Sequence, residues 1–397
     1  MKLIDTSKLK ETTTTSLTFP ENILVLSHLR WDFVYQRPQH LLTRFAKQCK
    51  ITFLEEPLFD APDKGYYTFS KRDENIVVVT PHVRDGLEAE ELKEVLKALF
   101  NEYMQNKTLA NYAFWYYTPM ALEFSRKYIP DMVIYDCMDE LSAFKFAPPR
   151  LKALEQELLK ISDVVFTGGH SLYEAKKNQH ANIHPFPSSI DKKHFAKARS
   201  IKSSPPDQIA TQQPKLGFYG VIDERFDVDL IKGIADARPD WQIILIGPVV
   251  KIDQNILPKN SNIHYLGPKS YQELPTYMAD WNIALIPFLL NESTRFISPT
   301  KTPEYLAAGL PVISTAIKDV IDPYGKRKLV QTGNDANDFI LAAEKLLALT
   351  PEQRVQKLNK VDHFLSLNSW DKTCDDMMEV MKNTLAHKSE PSFVQGI

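Results

Sequence analysis

Two side chains three residues apart, Lys301 and Glu304, have the types and spacing to grip a nucleotide diphosphate. They lie in NESTRFISPTKTPEYLAAGLPVIST, residues 291–315, which reads as strand end, loop, short helix, glycine stop and strand. Thr302 is the expected N-cap, Pro303 the first helical residue and Gly309 the stop. Amides at a helix N-terminus favour an anion, and Lys301 adds a mobile positive charge beside them. A carboxylate in the first turn can accept hydrogen bonds from two vicinal hydroxyls, as on a ribose. The competing reading is an ordinary i,i+3 surface pair, worth about 0.2–0.5 kcal/mol.

A second cluster follows the first apolar run, in SHLRWDFVYQRPQH at residues 27–40. It combines His28, Arg30, Trp31, Phe33, Tyr35, Arg37 and His40. Aromatic faces stack on sugar rings and arginines grip anions. Arg30, Trp31 and Arg37 are therefore expected to bind an acceptor, although each could singly be a satisfied residue on a rim. Asp136, Asp139 and Glu140 follow another apolar run. Asp139 is the candidate general base, with His28 as the second catalytic candidate. Asp139 as a loop cap or substrate-orienting group stays open. Gly168-Gly169 permits close backbone approach to a ligand, and His170 beside it is a further acceptor candidate. Asp136-x-x-Asp139 could suggest a metal pair, but no Asp-x-Asp signature is present and no metal site is expected.

The elements that must position these residues alternate. Short apolar runs at residues 22–27, 50–54, 76–79, 113–117, 132–135 and 164–167 read as buried strands, separated by helical patterns near 39–48, 88–101, 120–127 and 151–161. The alternation restarts after a Ser-Ser-Pro-Pro and Gln-Gln-Pro stretch. Strands are then expected at 216–220, 241–246, 263–267, 281–287 and 311–314, and helices at 228–237, 271–278, 304–308, 337–349, 351–364 and 370–385. Continuous apolar strands alternating with helices predict parallel sheets covered on both faces. The expected fold class is α/β, with two Rossmann-like doubly wound domains facing across a cleft. The expected division is a flexible segment at 1–20, an acceptor domain at 21–197, a linker at 198–214, a donor domain at 215–365, and a helix returning to the first domain, with a tail, at 366–397.

Length and composition agree with two soluble domains: 397 residues, 43% hydrophobic and 25% charged. A formal net charge of -2 gives no global basic field, so no nucleic-acid partner is expected. Cys49, Cys137 and Cys374 are few and far apart, which fits a reducing compartment. Residues 1–20 are polar and lack an apolar core, so no secretory signal is expected. Apolar runs fall well short of the ~20 residues that span a bilayer. The expected location is cytoplasmic, with peripheral contact at the inner face of the cell membrane left open.

The 291–315 stretch resembles the donor motif of group 1, family 4-like GT-B glycosyltransferases, in which a Lys precedes a Glu and a Gly-x-Pro-Val-Ile strand follows. The resemblance implies that Glu304 binds the donor ribose, that Lys301 meets a phosphate, and that Ser298, Pro299 and Thr300 follow the diphosphate. It further implies donor contacts at Gly220 and Arg225, although relatives carry Gly-Arg where this chain has GVIDER at 220–225. A second family glutamate, eight residues before the first, is replaced by Phe296, which puts retaining stereochemistry in doubt. Residues 27–40, 53–57, 135–144 and 369–371 resemble a bacterial subgroup of surface-polysaccharide and teichuronic-acid glycosyltransferases of the TuaH type. The implied activity is transfer of a sugar from a nucleotide-diphosphate sugar, UDP favoured over GDP, to a glycan or lipid-linked acceptor, with no cofactor and without metal. The alternatives are a sugar-nucleotide epimerase of the same fold and an inactive sugar-nucleotide-binding protein. A dinucleotide oxidoreductase is disfavoured, since no Gly-x-Gly-x-x-Gly follows either first strand.

Overall fold

The computed structural model describes residues 19–145 and 147–389. The expected flexible segment therefore lies almost wholly outside the described residues, as does the end of the tail.

The first domain is built on eight strands: β1 Asn22–Leu26, β2 Lys50–Leu54, β3 Tyr66–Asp73, β4 Ile76–His82, β5 Tyr112–Tyr116, β6 Met132–Cys137, β7 Val164–Thr167 and β8 Ile183–Pro185. Their order is β3-β4-β2-β1-β5-β6-β7-β8. All neighbours pair in parallel except β3 with β4. The second domain has β9 Lys215–Tyr219, β10 Gln242–Ile246, β11 Ile263–Tyr265, β12 Ile283–Ile286, β13 Val312–Thr315 and β14 Gln331–Gly333. They pair in parallel throughout, in the order β11-β10-β9-β12-β13-β14. Strands such as β9 and β10 are buried at every residue, because helices cover both faces.

Each sheet changes direction beside its first strand, at β1 between β2 and β5 and at β9 between β10 and β12. The loops beyond these carboxyl ends form the crevice of a doubly wound sheet. The cleft between the domains is lined from both switch points, by residues of the 31–37 loop on one side and by Gly220 and Phe288 on the other.

Strands β3 and β8 and the place of the crossing differ from the sequence expectation in the first domain. Strand β3 is exposed at most positions, so it carries little apolar signal. It is held by its antiparallel pairing to β4. The crossing into the second domain comes before Ile190 rather than at 198, because Ile190, Phe195 and Ala198 pack in the second core. The stretch 198–214 is tied to that domain as well: Gln208 donates to Asp280 Oδ2 at 2.9 Å and accepts from Trp281 Nε1 at 3.0 Å.

The return crossing follows helix Pro351–Leu365, whose Val361 and Leu365 belong to the second core. Helix Trp370–Ser389 then buries Trp370, Cys374, Met377, Met381 and Leu385 in the first. The three cysteines are free and buried. No helix among the described residues is long and apolar enough to cross a membrane.

Candidate active site

The cleft has a volume of about 550 Å³ and draws on both domains. On the second domain, the chain leaves β9 through Gly220 at φ +143° and β10 through Gly247 at φ +138°. A Cβ on Gly247 would overlap the Gly220 carbonyl oxygen, and a Cβ on Gly220 would overlap the Lys301 side chain. Glycine is thus required where two strand ends and a lysine converge.

Helix Lys301–Ala307 begins two residues before the expected first helical residue, Pro303. Thr300 is the N-cap, not Thr302, and Pro303 is the third helical residue. Proline is tolerated there because first-turn N–H groups have no intrahelical partner. Lys301 and Glu304 both line the cleft. The Lys301 Nζ sits 5.8 Å from the ring centres of Phe218 and Phe288. Burial holds its pKa below the usual lysine value, opposed by the Glu304 charge. Burial also pushes the Glu304 carboxyl up to about 7, opposed by the Tyr219 hydroxyl and by Lys301. The Tyr219 hydroxyl donates to Glu304 Oε2. This is no exposed surface pair: Glu304 is buried.

Arg225 lines the same wall. Asp223 grips its guanidinium, with Nε at 3.0 Å and Nη2 at 2.7 Å from the carboxylate oxygens. The ring of Phe144, from the first domain, lies 5.5 Å from it. Ser298, Pro299 and Thr300 continue the wall ahead of the helix. Phe296 is half-buried and packs on the first-domain core. Glu292, the nearest acidic residue in sequence, does not line the cleft and forms an exposed pair with Arg295 at 3.5 Å.

From the first domain, Asp139 lines the cleft beside Met138 and Gly168. Its side chain makes no hydrogen bond among the described residues. Burial raises its pKa, and Arg225 is the leading opposing charge. It is therefore a carboxylate with raised basicity, facing an arginine of the other domain.

The remaining candidates from the first domain are placed differently. Arg30 is spent on the loop that follows β2, donating to Glu56 O at 3.3 Å and Pro57 O at 2.8 Å and pairing with Glu56. Arg37 touches the cleft, but its guanidinium is committed to Asp136, at 3.1 and 3.0 Å, and to Phe186 O at 2.6 Å. Trp31 lines the cleft but is only 8% exposed and packs edge-on against Phe53 in the first core. His28 does not line the cleft, and burial lowers its pKa to about 4, leaving a neutral ring. His170 is exposed and outside the cleft. It opens helix His170–Lys176, whose Ser171 N donates across the domains to Asp319 Oδ1 at 2.9 Å.

Further residues line the cleft beside them. Phe33 and Tyr35 are 50% and 43% exposed and line the cleft on the first-domain side. Tyr271 lines it opposite, with its ring 4.6 Å from that of Tyr35. Tyr219 and the loop 268–272 complete the second-domain wall. Tyr219 ends β9 next to Gly220, where the sequence alone reads it as core. Tyr271 carries no signal short of the folded loop. No group of three or more His, Cys, Asp or Glu residues able to hold a metal occurs among the described residues.

Residues 213–349 match the family described as Glycosyl transferases group 1. That match spans most of the second domain, and the two doubly wound sheets facing across a cleft are a GT-B fold. Among curated proteins, the chain is similar to a putative teichuronic acid biosynthesis glycosyltransferase, TuaH, of Bacillus subtilis (strain 168). They are 26% identical over 268 residues, covering 62% of this chain and 66% of the relative, just under two thirds of its length. Among solved structures, sucrose-phosphate synthase from Thermosynechococcus elongatus superposes with TM-score 0.68 at 15% identity, covering 92% of this chain and 99% of that one. Anabaena Alr3699/HepE, in complex with UDP and glucose, gives 0.66 at 12%, covering 91% and 99%. An E. coli trehalose-6-phosphate structure bound with UDP-2-fluoro glucose gives 0.65 at 12%, covering 91% and 98%. At these identities the structures bear on the fold. None of these likenesses supports the epimerase alternative.

Proposed function

We propose that the chain transfers a glycosyl unit from a nucleotide-diphosphate sugar to a hydroxyl of a glycan or lipid-linked acceptor, in assembly of a cell-surface polysaccharide at the cytoplasmic face of the membrane. The observation that carries the reading is the convergence of Lys301, Glu304 and Gly220 at the second sheet's switch point, opposite Asp139. Glu304 takes the ribose hydroxyls. Lys301, Arg225 and the backbone near Ser298 and Thr300 meet the diphosphate, whose negative charge grows as the sugar–oxygen bond breaks. Asp139 accepts the acceptor hydroxyl's proton as the new glycosidic bond forms, a role supported by its place in the cleft lining. A UDP-sugar is the favoured donor, because two of the structural relatives hold UDP or a UDP-sugar analogue. Phe33 and Tyr35, rather than Arg30 and Arg37, offer the first-domain surface for an acceptor.

The test is calorimetry with UDP and GDP on Glu304→Ala. A large loss of affinity in a folded variant is expected, and unchanged affinity for both refutes the site. Product analysis with and without acceptor separates a transferase from an epimerase, which needs no acceptor.

A further inference from the structure

The Glu304 carboxylate has one protein hydrogen-bond partner among the described residues, the hydroxyl of Tyr219. That hydroxyl is held in place. The Tyr219 ring lies parallel to Phe195, 6.4 Å between centres and 7° apart, and edge-on to Tyr305 at 5.1 Å. The Tyr219 backbone N–H donates to the Tyr305 hydroxyl at 2.9 Å, so strand β9 and helix Lys301–Ala307 are locked together beside the carboxylate. No hydrogen bond to Glu304 Oε1 is made among the described residues.

We propose that Tyr219 is a positioning residue for the nucleotide site, fixing Oε2 of Glu304 so that Oε1 is presented to a ribose hydroxyl. This rests on the reading that Glu304 holds the ribose. The phenol also stabilises the ionised carboxyl against burial. The other titratable groups facing Glu304 are Lys301 and Tyr305 on its own helix and Tyr271 from the loop after β11. Of these, Lys301 alone shares the stabilising role. A charge-assisted hydrogen bond of this kind typically contributes enough that its loss weakens binding about tenfold.

The experiment compares UDP and GDP affinities of the wild type, Tyr219→Phe, Glu304→Gln and the double variant from mildly acidic to mildly alkaline pH. Tyr219→Phe is expected to bind UDP about tenfold more weakly near neutrality. Because the carboxyl then ionises at higher pH, the deficit should shrink as pH rises. The ratio to wild type cancels the titration of the diphosphate itself. In the Glu304→Gln background, Tyr219→Phe should have little further effect. Wild-type affinity in Tyr219→Phe, a deficit that does not change with pH, or full additivity in the double variant each overturns the proposal. Failure of the underlying reading looks different: Glu304→Gln alone would bind both nucleotides like the wild type. If Tyr219→Phe does not fold, difluorotyrosine at position 219 keeps the ring and strengthens the donor. The pH midpoint of UDP binding should then move down, and an unmoved midpoint counts against the proposal.

Discussion

Replacing Arg37 with alanine separates a structural arginine from a ligand-binding one. Arg37 is 4% exposed and Asp136 0%, and two guanidinium nitrogens meet the two carboxylate oxygens. A third hydrogen bond runs to Phe186 O, ahead of the crossing between domains. Removing one partner of a buried pair leaves an uncompensated charge and costs about 3–5 kcal/mol. That is a large share of a domain stability of roughly 5–15 kcal/mol. The pH dependence follows from Asp136. Burial already holds its carboxyl above the usual aspartate range, with Arg37 opposing, so losing Arg37 raises it further. A folded pKa raised above the unfolded value makes stability fall as pH rises from the unfolded pKa to the folded one. The Arg37→Ala penalty should therefore be smaller in acid and grow toward neutral pH. Urea unfolding at several pH values measures it, with UDP affinity of the folded fraction as a second readout. A variant as stable as the wild type at neutral pH would refute the reasoning, and Arg37 would return to the acceptor site.

Gly220→Ala should lose UDP affinity by tenfold or more, because φ +143° and the Lys301 side chain leave no room for a Cβ; calorimetry on the folded variant checks this, and unchanged affinity argues against Lys301 lying there. Asp319→Ala removes the carboxylate that accepts from Ser171 across the domains, so small-angle scattering should show a larger radius of gyration without nucleotide. An unchanged radius would mean that the other interdomain contacts hold the domains without it.

The two largely parallel sheets were legible because most central strands hold a run of apolar residues, as in residues 243–246, and that pattern has few alternatives. Strand β3 and the short strand β8 were not, since one is mostly exposed and the other has three residues. The same contrast divides the site. Lys301 and Glu304 were readable as neighbours at a helix start because a following glycine stop marks that short helix, whereas Gly220 entered through the family resemblance. Arg30, Arg37 and His28 were readable as residue types but not as roles, because their roles depend on distant neighbours. Asp136 lies 99 residues from Arg37, and the guanidinium meets it only after β1 and β6 are brought into one sheet. Tyr219 is the reverse case. It lies one residue from a glycine already singled out, yet its partner Glu304 is 85 residues away. A tyrosine ending a strand looks like core until the helix that follows β12 returns beside it. What a sequence shows of such a site is therefore its backbone demands. The pairing of buried polar groups, which decides whether a charged side chain is free for a ligand, emerges only with the register of the sheet.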